Sequence, residues 1–234
     1  AAPGRAVVRP RFAYRDWTDK DIKDCRRKNP LHSAPGKLAR LVPYTSPPSI
    51  ATLLANKDAL WVLNVKPPWA TALVYGVKNV ENRDWNSGFD RWIDGYRWTL
   101  VVASAEQTNR YAQEATADLK GRLTNSGQAE WIGKLPTQHY QCIVGLVKFR
   151  ALTFEQFIYD RCLSSVWYNG MHPDENGADL ALYVEAAFPF PTPIHYKGAL
   201  GMLRFETVST TDLRDAVVEQ LKLIGSVDGP PPLP

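Results

Sequence analysis

The first 59 residues hold seven prolines, at positions 3, 10, 30, 35, 43, 47 and 48, and show no sustained apolar period of 2 or 3.6. From residue 60 the texture changes to short apolar runs separated by turn residues. No other feature constrains the chain as much as that break. Proline fixes φ and removes a backbone donor, so the first segment is a poor source of central strands or long helices. It reads as an extended arm with one short helix at 18–28, where Thr18 is the N-cap and Asp19 and Asp21 occupy the first turn. The core must come from the rest. Apolar residues are 44% of the chain and eight are Trp, enough to fill one generous interior.

Beyond residue 60 the elements are legible in order. Residues 60–65 read as a strand, and Pro68 then stands in the first turn of a helix with Trp69, Leu73 and Val74 on one face, ending at Gly76. Residues 78–85 alternate as a half-exposed strand, and 98–103, 142–149, 181–184 and 201–205 supply four more. Helices fit 106–120 and 154–162, the latter capped by Thr153. Thr211 is expected to cap a last helix in which Leu213, Val217, Leu221 and Ile224 recur at helical spacing and form one docking face. Short strands with helices inserted between them predict an α+β mixed barrel. The longest apolar runs fall far short of the roughly 20 residues that a membrane helix needs, so no membrane insertion is expected.

Charge is distributed unevenly. Residues 1–59 carry 12 Lys and Arg against 5 Asp, an excess of +7; residues 60–205 carry 14 against 14; residues 206–234 carry 2 against 5. The basic excess lies in the arm, where Arg5, Arg9, Arg11, Arg15, Arg26, Arg27 and Lys28 are candidate polyanion contacts or a solubilising flank. Cys25, Cys142 and Cys162 form no C-x-x-C pair, and His32, His139, His172 and His195 have no metal-ligand spacing. No metal or cofactor is expected. The sequence begins at Ala1 with methionine at 171 and 202, which fits loss of an initiator or cleavage of a targeting peptide. A mitochondrial location is the first expectation, with cytoplasmic and nuclear ones as alternatives.

The most specific local sequence runs Lys66-Pro67-Pro68-Trp69-Ala70 and then Gly76-Val77-Lys78-Asn79-Val80-Glu81-Asn82-Arg83-Asp84-Trp85. Lys78 differs in parity from Glu81 and Arg83, so one strand face holds all three only if a bulge or the start of the strand brings Lys78 round. The segment resembles the ASCH signature (activating signal cointegrator homology), Q-P-W-A followed by G-x-K-x-x-E-x-R, with Pro67 in place of the usual Gln. The stretches Tyr96-Arg97-Trp98-Thr99-Leu100-Val101-Val102-Ala103-Ser104, Cys142-Ile143-Val144-Gly145-Leu146-Val147 and Lys197-Gly198-Ala199-Leu200-Gly201-Met202 resemble three further blocks of that family in the same order. Val102 stands where the family usually has His.

The resemblance implies a PUA-like mixed β-barrel over residues 60–206, with an N-terminal arm at 1–59 and a C-terminal helix and Pro-rich tail at 207–234. It also implies a nucleic-acid or nucleotide cleft with Lys78, Glu81, Arg83, Trp69, Trp85 and Lys197 as its candidate residues. Lys78 and Arg83 can meet phosphate, Glu81 can accept from an exocyclic amine, and Trp69 or Trp85 can stack on a base. The plainer readings are a core Trp69 and a Glu81–Arg83 same-face ion pair.

Some small bacterial members of the family act as amidohydrolases on acylated cytidine, using a Lys and a Thr of this motif and a Glu elsewhere. Glu81 stands at the position of that Thr, so the hydroxyl nucleophile is absent and no catalytic residue is assigned. The expectation is a non-catalytic RNA-binding or scaffolding subunit of a large assembly such as a mitochondrial ribonucleoprotein, anchored by its basic arm. An ASCH-type hydrolase, acting on modified nucleosides or as a ribonuclease, is the alternative.

Overall fold

The computed structural model describes residues 47–55, 59–84, 96–105, 108–125, 127–136, 139–152, 167, 179–198 and 201–225. The expected helices at 18–28 and 154–162, the basic arm residues, Trp85, Trp92 and the Pro-rich tail lie outside them.

Six strands, β1 (Leu60–Val65), β2 (Val80–Asp84), β3 (Tyr96–Ala103), β4 (Cys142–Leu152), β5 (Asp179–His195) and β6 (Met202–Arg204), form one mixed sheet in the order β2-β5-β4-β3-β1-β6. β1 runs parallel to β3, and the other pairings are antiparallel. The helices are α1 (Ile50–Leu53), α2 (Trp69–Val74), α3 (Asn109–Asn125), α4 (Phe205–Val208) and α5 (Thr211–Gly225). This is the α+β mixed architecture that the strand and helix pattern predicts.

The sheet is curled, and one side chain demonstrates it. β2 and β1 lie four interstrand steps apart, about 19 Å on a flat sheet. Yet Arg83 Nη2 of β2 donates to the Asn64 carbonyl of β1 at 2.7 Å, farther than an arginine reaches without curvature. Curling divides the sheet into an inner and an outer face, and β1, apolar but for Asn64, is buried on both. Trp61, Leu63, Val65, Val101, Val147, Phe149, Leu182 and Val184 fill the inside with Leu73 and Val74 of α2. Leu60, Val62, Leu100, Leu146 and Phe188 face outward, where Leu53 of α1, Phe205 of α4 and Val217, Leu221 and Ile224 of α5 cover them. Each large side chain so buried contributes roughly 1.5–3 kcal/mol.

Three expectations need correction. The strand expected at 181–184 extends over 17 residues because Pro189, Pro191 and Pro193 do not break it. They recur every second residue, so their missing donors fall on one strand edge, and β2 pairs with β5 only over 179–183. The last helix is capped by Thr210 rather than Thr211: its Oγ1 accepts from Leu213 N at 3.3 Å. α3 begins and ends later than the expected 106–120, after Thr108, whose carbonyl accepts the Ala112 N–H at 2.9 Å. No helix among the described residues is long and apolar enough to cross a membrane.

Candidate functional site

The site grows out of the turn between α2 and β2. Gly76 leaves α2 with φ of 69°, a left-handed conformation that glycine adopts without strain. The N–H groups of Val77 and Lys78 then both donate to the Ala72 carbonyl, at 3.0 and 2.9 Å. The β-ladder begins only at Val80, so Lys78 is placed by this turn and not by strand parity. The start of the strand therefore brings Lys78 round to Glu81.

Lys78 Nζ donates to Glu81 Oε2 at 2.7 Å and also to the Val80 carbonyl, while Arg83 Nη2 lies 2.9 Å from Glu81 Oε1. One carboxylate thus joins two cations, with side-chain exposures of 6% for Lys78, 10% for Glu81 and 20% for Arg83. A lone charge at this depth carries a large desolvation penalty, and the shared carboxylate offsets it. Burial pushes the Lys78 ammonium below its ordinary value of 10.5; Glu81 opposes the push by charge and hydrogen bond, and Arg83 and Arg122 add to it. Between the lowered folded value and 10.5 the unfolded chain binds more protons at this group than the folded chain, so stability gained at Lys78 rises with pH across that window and is flat below it. Lys78→Met removes this dependence. The difference in urea midpoint between the wild type and this variant is expected to shift toward the wild type as pH rises from neutrality to 10.5; a constant difference contradicts the burial.

Lys78, Glu81 and Asn82 form one wall of a cavity of about 420 Å³, within the size range of small-molecule sites. Trp69 and Trp167 form a second wall, meeting edge to face with ring centroids 6.3 Å apart and planes at 73°. Asn82 Nδ2 holds Trp167 in place by donating to its carbonyl at 2.8 Å. Opposite stands α3, contributing Tyr111, Glu114, Ala115, Asp118 and Arg122. Arg122 pairs with Asp118 at 2.9 Å, and Arg110, on the same helix, pairs with Glu114 at 2.9 Å. Among the described residues the lining carries two cations and three carboxylates.

The candidate cleft residues thus separate. Lys78, Glu81 and Trp69 line the cavity, and Trp69 also packs against the inner core. Arg83 stands behind the wall and ties Glu81 to β1. Lys197 is exposed and outside the lining. The α3 residues were missed, although positions 111, 114, 115, 118 and 122 share one helical face, because periodicity is read for apolar stripes and this face is polar. Among the described residues there is no cluster of three or more His, Cys, Asp or Glu that could hold a metal ion. Cys142 donates its Sγ hydrogen to the Tyr140 carbonyl at 3.2 Å, and burial pushes its thiol pKa up.

Each block of the sequence resemblance occupies a defined element. The G-x-K-x-x-E-x-R segment leads from the α2 cap into β2, the second block is β3, the Gly145 block is β4, and the Lys197-Gly198 block joins β5 to β6. The four blocks thus follow one another along a single mixed, curled sheet. No protein-family model matches the sequence, and no curated protein is similar to it by sequence. Among solved structures it is similar to ASCH from Zymomonas mobilis, at 10% identity and a TM-score of 0.37 over 70% of this chain and 96% of that one. It is similar also to two point mutants of that protein. One has 11% identity and a TM-score of 0.35 over 70% of this chain and 96% of that one. The other has 10% identity and a TM-score of 0.37 over 69% and 97%.

Proposed function

We propose that this chain is a non-catalytic, ASCH-type RNA-binding subunit that takes a single unstacked nucleobase into the cavity between β2 and α3. Its basic arm anchors it to a large assembly such as a mitochondrial ribonucleoprotein. The observation that carries the binding reading is the cavity lining: two tryptophans and a tyrosine around Asn82 and Glu81, the mixture of flat apolar surface and few polar groups that suits a heterocycle. The Lys78–Glu81 pair supports binding over catalysis, because Glu81 is held by two cations and no Ser or Thr stands among the described residues of the lining. An ASCH-type hydrolase is the second reading, favoured by the lowered pKa of Lys78 beside a carboxylate in a cavity. It requires water as nucleophile.

The test has two arms. Ala115 lines the cavity from α3, and Ala115→Phe fills it without changing charge. Losing one stacked base is worth about 1–3 kcal/mol, so affinity of the full chain for short single-stranded RNA is expected to fall about 5- to 150-fold. Unchanged affinity in a folded variant removes the cavity from the account. Deleting residues 1–59 is expected to release the protein from its assembly in co-sedimentation, and retention after that deletion rules out the arm as anchor.

A further inference from the structure

The charged groups of the described cavity lining are paired, and that pairing decides how a nucleotide sits in it. Inside, both lining cations are committed to carboxylates: Lys78 to Glu81 at 2.7 Å and Arg122 to Asp118 at 2.9 Å. Glu114, the third carboxylate of the described lining, pairs with Arg110 at 2.9 Å. A phosphate brought inside finds these cations already paired and loses hydration between partly desolvated walls, which is unfavourable.

Immediately outside the described lining stands one further cation. Lys66 is exposed, and its Nζ lies 4.9 Å from the ring centroid of Tyr111, a residue of the cavity wall. The Lys66 carbonyl accepts the N–H of Trp69 at 3.0 Å, so the backbone that carries this ammonium also fixes the tryptophan wall. The cation is therefore tied to both aromatic sides of the opening. Among the described residues no carboxylate is paired with it.

We propose, resting on the nucleobase reading above, that the base enters the cavity with its phosphate directed outward onto Lys66. The preferred ligand is then a phosphorylated nucleotide, free or within a strand, and a nucleoside is bound more weakly. Lys66 is the residue that sets this preference.

The experiment titrates the full chain with the four common ribonucleosides, their 5′-monophosphates and a mixed-sequence single-stranded hexaribonucleotide. At low salt the monophosphate of the favoured base is expected to bind roughly fivefold tighter than its nucleoside, as one exposed contact between unit charges near 4 Å provides. Raising the salt is expected to shrink that ratio. Lys66→Gln brings the ratio to about one, whereas Lys222→Gln, an equal charge loss at an exposed site on α5, leaves the ratio intact. A hexanucleotide that exceeds the monophosphate and depends equally on Lys66 identifies a strand as the ligand; equal affinities identify a free nucleotide. Nucleosides and monophosphates binding equally to the wild type, or a ratio that survives Lys66→Gln, overturn the outward phosphate alone. Binding of none of the probes overturns the nucleobase reading itself.

Discussion

Glu81→Gln is expected to destabilise the fold by about 3–5 kcal/mol, the cost of leaving a buried cation without its counter-charge. Lys78 Nζ keeps only uncharged partners in this variant, and its side chain is 6% exposed, so solvent screens the stranded charge weakly. Arg83 suffers less, because it is one-fifth exposed and retains the Asn64 carbonyl. The double variant Lys78→Met, Glu81→Gln removes the stranded charge and is expected to recover most of the loss. Urea denaturation of the three proteins measures this directly. A single variant within about 1 kcal/mol of the wild type contradicts the buried triad, since that is the range of an exposed ion pair.

Gly145→Ala is expected to cost about 3 kcal/mol, at the upper end for overpacking a core. A Cβ at this position lies 2.5 Å from the Phe188 carbonyl oxygen and 2.8 Å from Val74 Cγ1. The carbonyl belongs to β5, paired with β4 on both sides of this point, so it retreats only by disrupting the ladder. Val74 belongs to α2, which carries the turn to Lys78, so the strain is transmitted toward the site. Gly121 is the control. It lies inside α3, nothing approaches within 4 Å of an added Cβ, and Gly121→Ala is expected to stabilise by about 0.5–1 kcal/mol. Thermal melts of the two variants moving in opposite directions support the packing described; a neutral Gly145→Ala contradicts it.

The sequence reveals the fold wherever local pattern and tertiary demand agree. The apolar run at 60–65 is β1 with the same bounds, and the Gly76 stop and Val217–Leu221–Ile224 stripe are where periodicity places them. The length of β5 was hidden because three prolines argue against a strand unless the unpaired edge is known, and that edge follows from β2 being short. For the site, residue spacing alone posed the right geometric condition at Lys78 but not its answer, which depends on hydrogen bonds to Ala72. Trp167 and the α3 face approach β2 only through long-range folding. No local pattern announces Asn82 holding the Trp167 carbonyl.

That same contact explains why the cavity is a defined space. Asn82 fixes the backbone beside Trp167, Trp69 abuts that ring, and the ionic wall of Lys78 and Glu81 is held by Arg83 from behind. Side chains held by packing and a supporting layer of hydrogen bonds are the preorganisation that a recognition site requires. On the proposed reading the pairing of charges in the lining separates two tasks, base recognition in the cavity and phosphate contact at Lys66 and the arm.

The most direct measurement is a two-dimensional NMR titration of the full chain with single-stranded RNA, observing the indole N–H signals of Trp69 and Trp167 and the side-chain amide of Asn82. The account predicts saturable shifts of all three, lost in Ala115→Phe. RNA binding that leaves these three signals unmoved contradicts it.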